Sequence, residues 1–72
     1  MFSVKKETIE MLKERYPEDC RVRLLHMDDK QAPPIGTEGT VMFVDDIGTI
    51  HVHWDTGSCL GVVLGEDAVC RV

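Results

Sequence analysis

The side chains best suited to chemistry in this chain are three histidines, three cysteines and two pairs of adjacent aspartates. His51 and His53 stand two apart, and Asp55 follows at the same spacing. Residues two apart on a strand share a face. Imidazole and carboxylate gathered that way could seed a zinc or nickel site. The intervening residues argue for a plainer role. Ile50, Val52 and Trp54 alternate with them and claim the core side, which leaves His51, His53 and Asp55 to solvent. Metal binding through His51 and His53 therefore stands as an alternative, not the first expectation. His26 belongs to another strand, and its partners are not assignable. Cys20, Cys59 and Cys70 are odd in number and widely spaced, with no CxxC pair. That pattern suits free thiols in a reducing cytoplasm better than a disulfide framework. Cys59 and Cys70 lie in apolar strand contexts and read as buried, inert thiols. Cys20, at a strand entry, has no oriented histidine beside it to make a nucleophile. Asp28-Asp29 and Asp45-Asp46 read as turn formers. No phosphate loop, dinucleotide fingerprint or HExxH motif occurs. The expectation is a domain that is not an enzyme and holds no cofactor.

Charge narrows the partners. The chain has eight basic residues and thirteen acidic ones, a formal net charge of -5. From Cys20 onward the bases are Arg21, Arg23, Lys30 and Arg71. The acids there are Asp28, Asp29, Glu38, Asp45, Asp46, Asp55, Glu66 and Asp67. Duplex binding is largely phosphate neutralisation, so nucleic acid is not the expected partner. Arg21 and Arg23 are the one basic pair on a strand face. Beside Trp54 or Phe43 they could touch a single strand, but the aromatics alternate inward, and pairing with an outward acid is the simpler reading. The N-terminus, MFSVKKETIE, carries charge where a secretory leader needs an apolar run. No stretch reaches the roughly 18 apolar residues of a membrane helix.

Two kinds of element must position these side chains. Residues 3–16 read as a helix capped by Ser3. Val4, Thr8, Ile9, Met11, Leu12 and Tyr16 fall on its apolar arc, and Pro17 ends it. This helix is expected to cover an open end of a barrel. After Pro17 the period falls to two. Arg21 to Leu25, Thr40 to Val44, Ile50 to Asp55, Cys59 to Leu64 and Val69 to Val72 read as strands. Asp45-Asp46-Ile47-Gly48 and Asp55-Thr56-Gly57-Ser58 each end a short turn near a glycine, the signature of tight hairpins. The fold expected is mainly β: a five-stranded SH3-like barrel over residues 20–72 with one N-terminal α-helix, a single domain over 1–72. Its core is expected to hold Val22, Leu24, Val41, Phe43, Ile50, Val52, Trp54 and Leu60, with Leu12 and Tyr16 packed on it.

One connection is long. Met27 to Gly39 reads MDDKQAPPIGTEG. Pro33 and Pro34 stiffen it, and Gly36 and Gly39 permit a sharp return. With this loop the residues take on a familiar pattern. MDDKQAPPIGTEGTV (Met27 to Val41), VDDIG (Val44 to Gly48) and IHVHWDTGS (Ile50 to Ser58) resemble the bacterial domain-of-unknown-function 4314 family. ERYPEDCRV (Glu14 to Val22) is similar to its lead-in. The resemblance implies an SH3-like fold and a bacterial or mobile-element origin. It implies no activity, because the family has none assigned. Cys20 departs from the Thr or Ser expected there, and Leu64-Gly65-Glu66 lacks a proline ahead of its glycine. The G-x-x-G-T-V and V-x-W-D-x-G pieces are also similar to those of KOW modules.

The functional expectation is a protein-interaction module, monomeric, whose contact edge is the 27–39 loop. Asp28, Asp29, Pro33, Pro34 and Asp55 are the candidate binding residues, facing a basic partner. Long ordered loops on small domains are often functional, and prolines reduce the entropy lost on binding. The competing reading makes the loop a strap, with Pro33, Pro34 and Ile35 covering core. A KOW-like nucleic-acid module is the alternative function.

Overall fold

A computed structural model describes residues 5–72. Helix α1 runs Lys6–Arg15, preceded by an extended Lys5 with no side-chain cap. The expected Ser3 cap, and Val4 with it, lie outside the described residues. At the other end the Tyr16 N–H donates to the Leu12 carbonyl at 2.8 Å, and Pro17 stops the helix as expected. The buried stripe is narrower than the expected arc. Leu12 is buried, Thr8, Ile9 and Tyr16 are half-buried, and Met11 is 55% exposed. α1 packs chiefly against one strand, so mainly the row facing that strand leaves water.

Five strands follow: β1 Arg21–His26, β2 Glu38–Val44, β3 Thr49–Trp54, β4 Cys59–Val63 and β5 Ala68–Arg71. They form one antiparallel sheet in the order β4-β3-β2-β1-β5. The two hairpin turns close as their glycines imply. Gly48 (φ 86°) and Gly57 (φ 100°) are left-handed, and their N–H groups reach back to Asp45 and Trp54 carbonyls at 3.1 and 2.8 Å. Entry to β1 uses a left-handed Asp19 (φ 74°), a conformation aspartate tolerates better than most residues.

The core is Leu12, Val22, Leu24, Val41, Val44, Ile50, Val52, Trp54 and Val62, with Tyr16, Cys20, Met27, Leu60 and Val69 packed against it. Each fully buried aliphatic side chain contributes about 1.5–3 kcal/mol relative to exposure. Gly39 is a core residue too. A Cβ there would come within 2.7 Å of Val52 and 2.9 Å of the Trp54 ring. It therefore serves close packing inside β2, not the loop's return, and that corrects the expectation placed on it.

One aromatic is misplaced by simple alternation. Phe43 is 50% exposed, not core. The β2–β3 register slips between Val41, opposite Val52, and Phe43, opposite His51. Met42 is the extra residue of that bulge. A bulge reverses the facing of everything after it, so Phe43 turns outward and Val44 takes the buried position.

Barrel closure was expected, but the ladder stops at β4 and at β5. Consecutive in the chain, these strands form opposite edges of the sheet. The turn between them is tight: the Asp67 and Glu66 N–H groups donate to the Val63 carbonyl at 2.9 and 3.0 Å. A flat five-stranded sheet would hold its edges about 19 Å apart. So short a link requires a sheet curled until its edges approach at that end. It is curled and open.

Candidate functional site

The 27–37 connection is ordered by specific bonds. Met27 packs against the core. The Asp28 N–H donates to Asp67 Oδ1 at 3.0 Å, and Asp67 Oδ2 accepts the Val63 N–H at 2.9 Å. One carboxylate thus clamps this loop to the β4–β5 turn. Asp29 Oδ1 accepts the Gln31 N–H at 2.8 Å, an Asx turn. Farther along, the Thr37 N–H donates to the Pro34 carbonyl at 3.0 Å. Gly36 sits third in that turn at φ 93°, where a side chain would be strained. Leu24 then bonds the returning segment twice, accepting from the Gly36 N–H and donating to the Thr37 carbonyl, each at 2.8 Å.

Within this frame the proline pair divides its roles. Pro33 is buried, as a strap requires. Pro34 is exposed, and Ile35 is 70% exposed at the turn apex. The strap expectation therefore holds for Pro33 and is corrected for Pro34 and Ile35. The bonds of Leu24 put Ile35 across from Leu25, itself 47% exposed at a register shift in β1. Asp28 and Asp29, in the same loop, are exposed.

Asp55 does not extend the acidic edge. Its backbone N–H donates to the Glu38 carbonyl at 2.9 Å, at the base of the loop. Its carboxylate, however, takes a two-pronged bond from Arg21 at 2.9 and 2.5 Å. The Arg21 hydrogen bond outweighs the opposing effect of burial, and the Arg21 and His53 charges add to it. Together they hold the Asp55 carboxyl below its ordinary value. Arg21 also donates to Thr40 Oγ1 at 3.0 Å, and Arg23 pairs with Glu38 at 3.0 Å. The one basic pair on the sheet is thus engaged by acids across the strands.

The histidines part company. His51 Nε2 lies 2.7 Å from Asp45 Oδ2, and its ring stacks on Phe43 with centroids 4.4 Å apart. Asp45 is the hub of the β2–β3 turn, because its Oδ1 accepts the Ile47 and Thr49 N–H groups at 3.0 and 2.9 Å. Burial alone would raise this carboxyl. The His51 hydrogen bond, the Thr49 and Ile47 donors and the His51 charge prevail and lower it. His53 is exposed opposite Cys59. Among the described residues no three His, Cys, Asp or Glu side chains gather as metal ligands would. The thiols are free. Cys59 is exposed, which corrects its expected burial: it lies on the outer face of an edge strand. Cys20 is half-buried, and burial pushes its thiol up despite the Arg71 charge.

Sequence reasoning missed Leu25, Ile35 and the Asp67 clamp. The Pro-Ile-Gly-Thr string did signal a turn with Gly third, which would have put Ile35 at its apex. Nothing local links Asp67 to Asp28, 39 residues away.

The chain belongs to the family described as Domain of unknown function (DUF4314), whose model matches residues 5–72. No curated protein and no solved structure matches it. Among the described residues no helix is long and apolar enough to cross a membrane.

Proposed function

We propose that this is a non-enzymatic, SH3-like protein-interaction module of the cytoplasm, and that its contact edge is the 27–37 loop. The observation that carries the reading is Ile35, an isoleucine 70% exposed at the apex of a loop held rigid from both sides. Exposed apolar side chains scattered singly are ordinary. Here Leu25, also exposed, stands across from it, and the same loop carries Asp28 and Asp29 with charge free of any ion pair among the described residues. The surface suits a partner with an apolar socket and a basic rim. The strand order and the long first connection support the SH3-like assignment. Engagement of Arg21 and Arg23 by acids weighs against a KOW-like nucleic-acid role, and engagement of His51 by Asp45 weighs against a metal site. Asp55 leaves the proposed edge because Arg21 holds it.

Affinity capture from the source cell tests this reading. The bait is immobilised wild type, Asp28→Asn/Asp29→Asn or Ile35→Ser, with retained proteins read by mass spectrometry. Asn at position 29 keeps the Asx turn, so these variants should melt like wild type. The expected result is a protein retained by wild type and lost by both variants. Equal retention by all three overturns the loop as the contact edge.

A further inference from the structure

A second surface lies roughly 16 Å along β2 from the loop. The β2 bulge turns Met42 and Phe43 outward, 42% and 50% exposed. Bulges commonly re-aim a side chain for use. A groove runs between this bulge and the connection from α1 to β1, lined by Glu18, Asp19, Thr40, Met42, Phe43 and His53. It continues past Tyr16 and Pro17 to Lys13. One face of the Phe43 ring is covered by His51, with the planes 12° apart, so the bound imidazole fixes the ring's orientation while half the side chain stays open.

The charges around the groove are uneven in their engagement. Lys13 lies 3.5 Å from Asp46, and Arg21 at the Thr40 border is held by Asp55 and Glu38. Glu18 and Asp19 are exposed and carry no ion pair among the described residues. The Asp19 backbone is fixed by its N–H bond to the Val41 carbonyl at 2.8 Å, so its carboxylate is displayed from a rigid position. The groove therefore offers an aromatic face, a pliable methionine and two uncompensated carboxylates. Guanidinium satisfies all of this: it stacks flat on aromatic rings and pairs with carboxylate, whereas an ammonium does only the second well.

We propose that this groove docks an extended peptide segment bearing arginine beside an apolar residue. The arginine stacks on Phe43 and pairs with Glu18 or Asp19, and the apolar neighbour rests on Met42. The surface is separate from the 27–37 loop, and its occupant binds whether or not that loop has a partner.

The test is amide chemical-shift mapping on the whole 15N-labelled chain with the peptide Gly-Arg-Leu-Arg-Gly as the probe. Gly-Glu-Leu-Glu-Gly and a short oligothymidylate serve as comparisons. The expected result is shifts centred on Glu18, Asp19, Met42 and Phe43 with the arginine peptide alone. Phe43→Ala, and separately Glu18→Gln/Asp19→Asn, should each weaken binding about tenfold, the scale of one cation–π or desolvated charge contact. Asp28→Asn/Asp29→Asn should leave it unchanged. Asn is chosen at position 19 because it also accepts positive φ, and an unchanged amide spectrum confirms that each variant is folded. The proposal is overturned by the absence of shifts at millimolar peptide. Shifts spread over all acidic segments alike, or equal shifts with either comparison ligand, overturn it too.

Discussion

At residue 43 a phenylalanine faces water while the valine after it is buried, and the energetic consequence is testable. Val44→Ala removes methyl groups from a site only 7% exposed and should cost about 2 kcal/mol. Phe43→Ala, despite the larger deletion, should cost about 1 kcal/mol or less, because the ring keeps half its water and loses mainly its stack on His51. Urea unfolding of the two variants decides it; a costlier Phe43 would contradict the bulged register. Asp45 makes a second prediction. Its native carboxyl is lowered, so its contribution to stability is complete above the ordinary unfolded value of about 4. That contribution drains away as pH falls through the native value. Asp45→Asn should therefore be less stable than wild type near neutrality, and the two should converge as pH falls below the lowered native value. A difference that stays constant across that range would show that its bonds act through geometry alone.

Among the elements, the strands were the most legible. Their alternation marked the strands, and the glycines at Gly48 and Gly57 marked two of the four strand pairings, β2–β3 and β3–β4. The helix was legible in kind, with its buried face overestimated at Met11. Period-two reading failed at the β2 bulge because an extra residue is a tertiary event: Met42 looks like any other strand residue. The loop was legible as a loop. The display of Ile35 was readable from the Pro-Ile-Gly-Thr turn, but the burial of Pro33 was not, since it depends on where the loop packs and not on local sequence. That division predicts unequal mutants. Pro33→Gly loses buried contact and adds unfolded-state freedom, and should cost about 1–2 kcal/mol. Ile35→Gly should shift stability by about 0.5 kcal/mol at most, as exposed positions do. Melting curves that rank them the other way would return the loop to the role of a strap over core.

The whole molecule is an acidic, curled sheet with one helix, and its outer face carries a small network of cross-strand ion pairs. Arg21 and Arg23 are engaged by acids, while Asp28, Asp29, Glu18 and Asp19 belong to the larger number of charges in no ion pair among the described residues. A net charge of -5 contributes a long-range field that favours encounter with basic surfaces. The family match adds no activity to this picture. The central claim is that the ordered 27–37 loop is where a protein partner sits. Amide hydrogen exchange of the domain, alone and saturated with the protein captured by wild type, tests it most directly. The account predicts added protection concentrated at Leu25 and across residues 27–37, with α1 unchanged. Protection confined to α1 or to the outer sheet face, with the loop exchanging as before, would contradict it.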